Sequence, residues 1–330
     1  MQSHRSSPEP SSHSTPQHCL VTGGAGFIGS HIIQGLLAQG HRVRVLDNLS
    51  SGSLDNLTSM LEQVDFVEGD IRDSTVINAC CKGIDTVFHQ AALVSVAESM
   101  TKPVLTHDMN VSGTLNVLEA CRENGVSKIV FASSAAVYGE DPTLPKTESM
   151  IPQPVSPYAW SKWMGEEYCK MYAAIYGMQA VCLRYFNVFG PRQDPSSDYS
   201  GVMSKFTDAI ASKSNPQIYG DGLQSRDFIY VGDVARANIL AMEAHINFGI
   251  YNVATGTRHT LLEVLDHLKG YTGSRFETQF YPTRSGDIRH SEGSAEKIKT
   301  DLKFTPGTTF FEGLSQYLTS IGIQKAAPIT

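Results

Sequence analysis

The sequence predicts an α/β fold in which a doubly wound parallel sheet is followed by a smaller α/β lobe. Two observations predict it: short apolar stretches alternate with helical patterns from His18 onward, and the first stretch runs directly into a glycine-rich turn. The alternation loosens after Pro191, where glycine, proline and serine become frequent. We therefore expect a disordered tail over residues 1–17, a sheet domain over residues 18–187 and a smaller lobe over residues 188–330, with segments that return to the sheet.

Composition and charge limit the possible partners. The chain has 330 residues, 41% hydrophobic and 18% charged, and its net charge of −7 argues against binding of nucleic acid. No apolar run approaches the roughly 18 residues of a membrane span, and residues 1–17 lack the apolar core of a signal peptide. Six cysteines without metal-ligand spacing indicate buried thiols in a reducing cytoplasm. The eleven histidines are scattered and form no ligand pair, so we expect no metal site.

The residues from His18–Thr22 onward predict a strand, a turn and a helix in direct succession. Gly23, Gly26 and Gly29 form the turn, and a helical pattern of apolar residues continues to Gly40. Glycines at such a turn let the backbone approach a pyrophosphate, and the following helix N-terminus offers N–H groups to the phosphates. The spacing is Gly-x-x-Gly-x-x-Gly rather than Gly-x-Gly-x-x-Gly, so a plain tight turn is the alternative to a dinucleotide site.

An acidic residue closes the second predicted strand. Residues 42–46 end in Asp47 and Asn48, about 20 residues beyond the glycines. An acid at this position accepts hydrogen bonds from ribose hydroxyls and repels a 2′-phosphate. Arg42 and Arg44 precede the acid, so neither stands where an arginine would meet that phosphate. The pattern therefore favours NAD over NADP as the cofactor.

The third and fourth strands also end in candidate cofactor contacts. Asp70 follows residues 64–67 and could accept a bond from the adenine amine, with Ile71 beneath the ring; a surface turn is the alternative. His89, the last residue of the fourth strand, is interpreted as a core histidine. The strand leads into residues that would let a cofactor lie close to the backbone: Gln90, Ala91 and Ala92.

A serine, a tyrosine and a lysine form the candidate catalytic set. A strand over residues 128–132 would deliver Ser134 to the carboxyl edge of the sheet, where ligands of doubly wound folds bind. Tyr158 and Lys162 are four apart, so they share one face of the helix predicted over residues 156–175. An ammonium there would lower the pKa of the phenol from about 10 toward neutrality and so allow proton transfer. A chance pair on a helix surface is the alternative.

Further candidates lie on another helix and in the second lobe. The helical pattern over residues 104–124 carries Asn110. Arg226 and Arg284 are the candidate anion contacts, because an acidic chain must hold an anion with a few local arginines. Surface ion pairs are the alternative interpretation of both arginines.

Eight segments in the right order resemble the extended short-chain dehydrogenase/reductase family, and within it the nucleotide-sugar epimerase/dehydratase branch. The resemblance covers about residues 18–320 and is specific in combination. It implies a Rossmann-type domain that holds NAD tightly, a nucleotide-sugar in the cleft, and a homodimer formed through a pair of helices. The segments are residues 22–29, 47–48, 69–71, 133–139, 158–162, 184–187, 226–227 and 284–287.

The resemblance also implies roles for individual residues. Tyr158, as phenolate, would take the proton of the sugar 4-hydroxyl; Lys162 would lower the pKa of that phenol and bond the nicotinamide ribose, and Ser134 would orient the hydroxyl. NAD would be held by Gly23, Gly26, Phe27, Ile28, Gly29, Asp47, Asn48, Asp70, Ile71, Gln90, Ala91, Ala92, Asn110, Tyr158, Lys162, Tyr185 and Phe186. The nucleotide-sugar would contact Ser134, Tyr158, Asn187, Val202, Gln217, Tyr219, Arg226, Arg284, Asp287 and Ser291.

Ala135 and Ala136 distinguish the branches of the resembled family. Nucleotide-sugar 4,6-dehydratases carry an Asp-Glu pair there, because elimination of water needs an extra acid and base; the alanines favour epimerisation. Val94 stands where glucose- and galactose-specific epimerases often have lysine, and residues 284–291 resemble the UDP-N-acetylglucosamine 4-epimerase group. A small Ser291 would leave room for an N-acetyl group. We expect C4 inversion of UDP-GlcNAc and UDP-GalNAc, and also of UDP-Glc and UDP-Gal, through a transient 4-keto sugar.

Three other functions remain open on the same motifs. A UDP-glucuronate-type epimerase would use the same site on a sugar that carries a carboxylate. An NAD(P)-dependent 4-keto reductase would consume reduced cofactor stoichiometrically. A non-catalytic NAD-sensing protein could share the fold, since fold does not fix function, but it would not need Ser134, Tyr158 and Lys162 together.

Overall fold

The computed structural model describes residues 15–194, 201–283 and 288–326. Seven parallel strands in this part of the chain form one sheet, in the order β3-β2-β1-β4-β5-β6-β11 along its width. The predicted α/β fold with a doubly wound sheet is confirmed. The described strands are β1 (His18–Thr22), β2 (Arg42–Asp47), β3 (Val64–Glu68), β4 (Thr86–His89), β5 (Lys128–Ser134), β6 (Gln179–Tyr185), β7 (Asn187–Phe189), β8 (Gln217–Tyr219), β9 (Ser225–Arg226), β10 (Phe228–Tyr230), β11 (Phe248–Val253), β12 (His259–Thr260) and β13 (Gln279–Tyr281).

Helices connect the strands and cover the sheet. A π-helical turn, Asp108–Ser112, lies between two of them, and a 3₁₀ turn, Ala135–Tyr138, follows β5. No helix in the described ranges is long and apolar enough to cross a membrane. The helices are α1 (Phe27–Ala38), α2 (Ser74–Cys81), α3 (Val96–Thr101), α4 (Pro103–His107), α5 (Gly113–Asn124), α6 (Pro157–Tyr176), α7 (Val202–Ala211), α8 (Val231–Glu243), α9 (Leu261–Thr272), α10 (Glu296–Leu302) and α11 (Phe310–Ser320).

The core is divided by the sheet into two apolar layers. Successive residues of β1 point to opposite faces, so Cys19 and Val21 join the layer under α1 and α8 while Leu20 joins the layer under α2, α5 and α6. Because both faces of the central strands are covered, β1 and β4 are buried along nearly their whole length, whereas the edge strand β3 stays partly exposed. A separate cluster, from Phe189 to Leu318, contains only residues beyond position 188. The division into two lobes stays a prediction, and β11 from the second half pairs with β6 in the main sheet.

The helix predicted over residues 104–124 is interrupted. Pro103 starts α4, and the π-helical turn inserts extra backbone before α5 begins at Gly113. Within this turn Asn110 is buried, and its amide donates to the Leu93 carbonyl at 2.9 Å and accepts the Leu93 N–H at 2.7 Å. The turn thus holds the loop after β4, a purpose that a regular helical pattern does not reveal.

A buried lysine stands at the amino end of β5. The ammonium of Lys128 donates to three carbonyls at the C-terminal end of α8: Ala241, Met242 and Ala244. Carbonyls at a helix C-terminus have no partner within the helix and attract a cation. Lys128 therefore joins α8 to the sheet at the edge opposite the candidate site.

Candidate active site

Several elements deliver candidate residues to the carboxyl edge of the sheet. β1 and β4 are neighbours there although β2 and β3 intervene in sequence, which creates the crevice in which ligands of such folds bind. β5 ends at Ser134, and its last two residues, Ser133 and Ser134, pair with Arg184 and Tyr185 of β6. The helix α6 then brings Tyr158 and Lys162 back to the same edge.

The glycine turn is packed so closely that side chains are excluded. Gly23 has a φ of +68°, and a Cβ on Gly29 would lie 2.3 Å from the Gly23 carbonyl oxygen. Gly26 caps α1 without a side-chain hydrogen bond, so no side chain competes with a ligand for the N–H groups of the first turn, which starts at Phe27 and Ile28. This close-packed cradle at a helix N-terminus fits the pyrophosphate of NAD.

Asp47 stabilises this turn through hydrogen bonds to the backbone. Its buried carboxylate accepts the Ala25 N–H at 2.9 Å and the Leu49 N–H at 2.8 Å. Burial raises the pKa of Asp47, while the two N–H donors favour its ionised form. The sequence did not indicate this bracing role; the ribose contact stays a prediction.

Asp70 is part of an ion-pair cluster. Arg72 donates to both of its carboxylate oxygens, at 3.0 and 2.8 Å, and the Asn48 amide donates at 2.9 Å. These bonds, with that of Arg72 the largest, lower the pKa of Asp70 to about 2. Arg72 also reaches Asp108 at 3.3 Å, and Ile71 packs in the core beneath. The motifs did not indicate Arg72, and the adenine contacts of Asp70 and Ile71 stay predictions.

Residues after β4 and β6 are tied to each other. The Tyr185 hydroxyl donates to the Asn238 amide oxygen at 2.9 Å, and the Gln90 amide donates to Tyr185 at 3.2 Å. Ala91, which Ala92 follows, lies against the glycine turn, since a Cβ on Gly23 would be 2.7 Å from its nitrogen. Phe186 packs with Val137, Tyr138 and Ala254. Both aromatic residues therefore have defined packing roles, and their contacts with NAD stay predictions.

His89 is a buried, neutral core histidine, as predicted. Thr114 donates its hydroxyl proton to the Asn110 carbonyl at 2.6 Å, so it must accept from His89 Nε2 at 2.9 Å. The Nδ1 atom then accepts from the Thr22 hydroxyl at 2.7 Å. Burial, with a contribution from Lys162, lowers the pKa of His89 to about 3. His89 thus fastens β1, β4 and α5 together beneath the crevice.

The candidate catalytic residues are brought together, as the sequence predicted. Tyr158 and Lys162 are buried on one face of α6, with the Lys162 ammonium 5.9 Å from the centre of the Tyr158 ring. The Tyr158 hydroxyl is hydrogen-bonded to Ser134, whose Oγ also accepts the Ala136 N–H at 3.1 Å. Lys162 donates to the Ala132 carbonyl at 2.8 Å. The arrangement can pass a proton between the phenol, the serine and a hydroxyl placed beside them.

The pKa expected of Tyr158 requires a correction. Burial raises the pKa of Tyr158 above its ordinary value, and only the hydrogen bond with Ser134 opposes that rise. The Lys162 ammonium donates to the Ala132 carbonyl, and burial lowers the pKa of Lys162 to about 8. The protein alone therefore does not hold a phenolate near neutral pH.

Replacing Lys162 by Met is expected to alter the pH dependence of stability of the NAD-free protein. Burial lowers the Lys162 pKa from 10.5 to about 8. Between those values the unfolded chain binds a proton that the folded chain does not, so the wild-type free energy of unfolding rises with pH. Below about pH 8 the buried charge costs about 3 kcal/mol, less the bond to Ala132. The Met variant lacks this titrating group, so its free energy of unfolding should rise less between about pH 8 and 10.5. Urea unfolding of both proteins across this range measures the difference, and parallel pH profiles would contradict it.

The substrate-side candidates gather around a buried acid, Asp227. Its carboxylate accepts hydrogen bonds from the hydroxyl and N–H of Thr255 and from the N–H groups of Gly256 and Gly293, at 2.7–3.2 Å. Its carbonyl accepts the Asn187 amide at 3.1 Å. Arg226 precedes it in the chain. Asp227, which lies in one of the segments that resemble the family, thus connects the parts of the chain that contain Asn187, Thr255 and Gly293.

The remaining substrate candidates are more dispersed. The Ser291 N–H donates to the carbonyl of Ser225 at 3.0 Å, beside Arg226. The ring of Tyr219 stacks on Tyr281 with 5.4 Å between centroids. Gln217, at the other end of β8, is exposed. Val202 begins α7 and packs against the separate apolar cluster that runs from Phe189 to Leu318. Arg284 and Asp287 lie outside the described residues.

Comparisons with known proteins agree with this geometry. The UDP-N-acetylglucosamine 4-epimerase from Methanobrevibacter ruminantium, solved with UDP-N-acetylmuramic acid, is 40% identical, with a TM-score of 0.90 over 93% of this chain and 99% of that chain. The Thermus thermophilus UDP-glucose 4-epimerase complex with NAD is 42% identical, with a TM-score of 0.86 over 92% and 99%. A UDP-glucose 4-epimerase of Mycolicibacterium smegmatis is 37% identical over 90% of this chain and 96% of its own length. Residues 19–254 match the model of one family, and the chain therefore belongs to the NAD-dependent epimerase/dehydratase family.

Proposed function

We propose that this protein is an NAD-dependent UDP-sugar 4-epimerase that inverts C4 of UDP-hexoses through a transient 4-keto sugar. One observation carries the proposal: Ser134, Tyr158 and Lys162 converge at the carboxyl edge of the sheet, where the glycine cradle also lies. Ala135 and Ala136, the two residues after Ser134, bring no acid. A site with a proton-transfer group and no additional carboxylic acid suits oxidation and reduction of a carbinol rather than elimination. Relatives at 37–42% identity that are named 4-epimerases support it.

The residues of the chain divide the work of the reaction. Bound NAD supplies the acceptor and donor of the C4 hydride. Tyr158 takes the proton of the sugar 4-hydroxyl and returns it after the sugar has turned. Ser134, which is hydrogen-bonded to the Tyr158 phenol, orients the sugar hydroxyl. Lys162 places a cation beside the site at 5.9 Å from the ring. Burial raises the Tyr158 pKa, whereas the positive charge of an oxidised nicotinamide, together with the Lys162 ammonium, would favour the phenolate form.

The substrate is held at its nucleotide end. We propose that Asn187, Arg226 and Arg284 bind the diphosphate, that Asp287 bonds the uridine ribose, and that Gln217 and Tyr219 flank the base with Val202 nearby. The sugar can then rotate while the diphosphate stays fixed, so either face of C4 meets the cofactor. The Asp227 hydrogen bonds keep Asn187 and Arg226 in place for this task.

The fate of a label at C4 tests the proposed reaction. With UDP-hexose carrying deuterium at C4, the epimer should keep its deuterium in ordinary water, and no reduced nicotinamide should accumulate. A 4-keto reductase would instead consume reduced cofactor with each turnover. Loss of the label to solvent would exclude the proposed hydride return.

Ser291→Tyr is expected to remove activity on N-acetylated sugars selectively. We propose UDP-GlcNAc and UDP-GalNAc as substrates, together with UDP-Glc and UDP-Gal, because Ser291 is small and its N–H bonds the carbonyl of Ser225, next to Arg226. A tyrosine ring there would fill the space for the acetamido group but not for a hydroxyl. The ratio of kcat/KM for UDP-GlcNAc and UDP-Glc measures the effect, with Ser291→Ala as the control. An unchanged ratio in Ser291→Tyr would refute the assignment.

We also propose that the protein is a homodimer. An exposed apolar groove lies between α3, α4 and α6 and includes Met100, Val104, Trp160 and Met164. These neighbouring helices together expose a continuous apolar surface, and such a surface can bind the same surface of a second copy of the chain. Light scattering should give twice the 36.0 kDa chain mass, and Met164→Glu should give monomers. Lys170→Glu, on α6 but outside this groove, is the control. If Met164→Glu remains dimeric, the dimer must form through another surface.

A cytoplasmic location is part of the same proposal. All six cysteines are unpaired and buried in the structure. Thiols kept reduced are typical of a reducing compartment.

A further inference from the structure

Arg184 opens one of the segments that resemble the family, yet the roles assigned above do not use it. Its side chain is 2% exposed and faces Glu166, which is fully buried. Arg184 Nε and Nη2 donate to the two carboxylate oxygens of Glu166 at 2.8 and 2.7 Å, the bidentate geometry of strong pairs. A well-packed apolar pair commonly gives equal or greater stability, so the ion pair points to a purpose other than stability.

Glu166 connects α6 to the strand that carries Ser134. It accepts a hydrogen bond from the Ser133 hydroxyl at 2.5 Å, and it lies one helical turn after Lys162. Lys162 itself donates to the carbonyl of Ala132 at 2.8 Å. The helix is therefore fastened to β5 at two consecutive residues directly before Ser134.

Arg184 fixes the chain on the other side of Ser134. The guanidinium carbon lies 4.8 Å from the centre of the Tyr138 ring, and Tyr138 ends the 3₁₀ turn that follows Ser134. The Tyr138 hydroxyl donates to the Asn252 amide oxygen at 2.6 Å, so the ring is also held from its far end. Ser134 is thus bracketed by two contacts that share one buried ion pair.

We propose that the Glu166–Arg184 ion pair is a positioning device that sets the separation between Ser134 and the Tyr158–Lys162 face of α6. This inference rests on the proposed function. Glu166 and Arg184 act through Ser133 and Tyr138 rather than on the substrate, so they are positioning residues. Loss of Glu166 or Ser133 should slow the chemical step without weakening substrate binding, because these residues lie in α6 and β5, away from the segments assigned to hold the nucleotide.

Two variants and one matched control test the proposal. Glu166→Gln places an amide N–H₂ group in the pair, so the bidentate bond and the charge balance are both lost. Ser133→Ala removes only the hydroxyl and leaves the ion pair in place. Lys128→Met is the control, because it removes a buried cation from the opposite end of the same strand. The measurements are kcat per bound NAD, KM, thermal stability, and hydrogen exchange of residues 131–138.

Glu166→Gln should lower kcat per bound NAD by about 10- to 100-fold, and Ser133→Ala should lower it less, with KM nearly unchanged in both. Exchange of residues 131–138 should accelerate in both variants. Lys128→Met should lose thermal stability yet keep kcat per bound NAD and the exchange of this segment.

Wild-type kcat per bound NAD in Glu166→Gln, together with wild-type exchange of residues 131–138, would overturn the proposal and leave the ion pair a purely stabilising one. If Glu166→Gln does not fold, the same two readouts on Ser133→Ala decide the matter. If the wild-type protein epimerises no UDP-hexose, the proposed function fails, and the exchange comparison still tests the positioning role.

Discussion

Tyr158→Phe is expected to lower kcat by about 10²- to 10⁴-fold while the fold and the bound NAD remain. The substitution removes a single oxygen atom, the one that is hydrogen-bonded to Ser134 at the end of β5. The ring keeps its volume in a buried position, so no cavity forms and stability should change little. Steady-state rates with each UDP-hexose, normalised to bound NAD, measure the effect.

Tyr172→Phe provides the matched control. Tyr172 is a buried tyrosine on the same helix, and its hydroxyl donates to Glu119 rather than to any candidate site residue. Its loss should cost stability alone. If Tyr158→Phe turned over at the wild-type rate, the proton would be moved by another group and the role assigned to Tyr158 would be wrong.

Gly29→Ala is expected to yield protein that no longer holds NAD. The added Cβ would lie 2.3 Å from the Gly23 carbonyl oxygen and 2.8 Å from the Gly24 Cα, which are backbone atoms of the same turn. Neither can move without opening the cradle, so the N–H groups at the start of α1 would shift away from the pyrophosphate position. The nucleotide released on denaturation, compared with wild type, measures the loss, and turnover should fall in proportion.

Gly270→Ala is the control for that variant. Gly270 lies in α9, and a Cβ there meets no atom within 4 Å. Alanine should raise stability by up to about 1 kcal/mol through helix propensity and leave NAD content unchanged. Full NAD content in Gly29→Ala would show that the turn is not where the cofactor binds.

The sheet and its polar edge could be predicted because local patterns decide them. The central strands β1, β4 and β5 are buried, and the polar residues at the strand ends, from Asp47 to Ser134, reach the same edge by the topology of a parallel sheet. The four-residue spacing of Tyr158 and Lys162 was equally readable, since a helix period fixes which side chains share a face.

Interactions between distant segments could not be predicted in this way. Asp227 accepts hydrogen bonds from Thr255, Gly256 and Gly293, and Arg184 forms a buried ion pair with Glu166. No spacing in the sequence indicates either set of contacts. The raised pKa of Tyr158 could not be predicted for the same reason, because the burial that raises it depends on the whole fold.

The most direct measurement is turnover by the purified protein without added cofactor, using UDP-GlcNAc and UDP-Glc in separate reactions and anion-exchange chromatography of the products. The account predicts that the C4 epimer forms in both, because NAD stays bound in the Gly23–Gly29 cradle and is regenerated in each cycle. No epimer from either sugar, even with NAD supplied, would contradict the proposed activity on these UDP-hexoses.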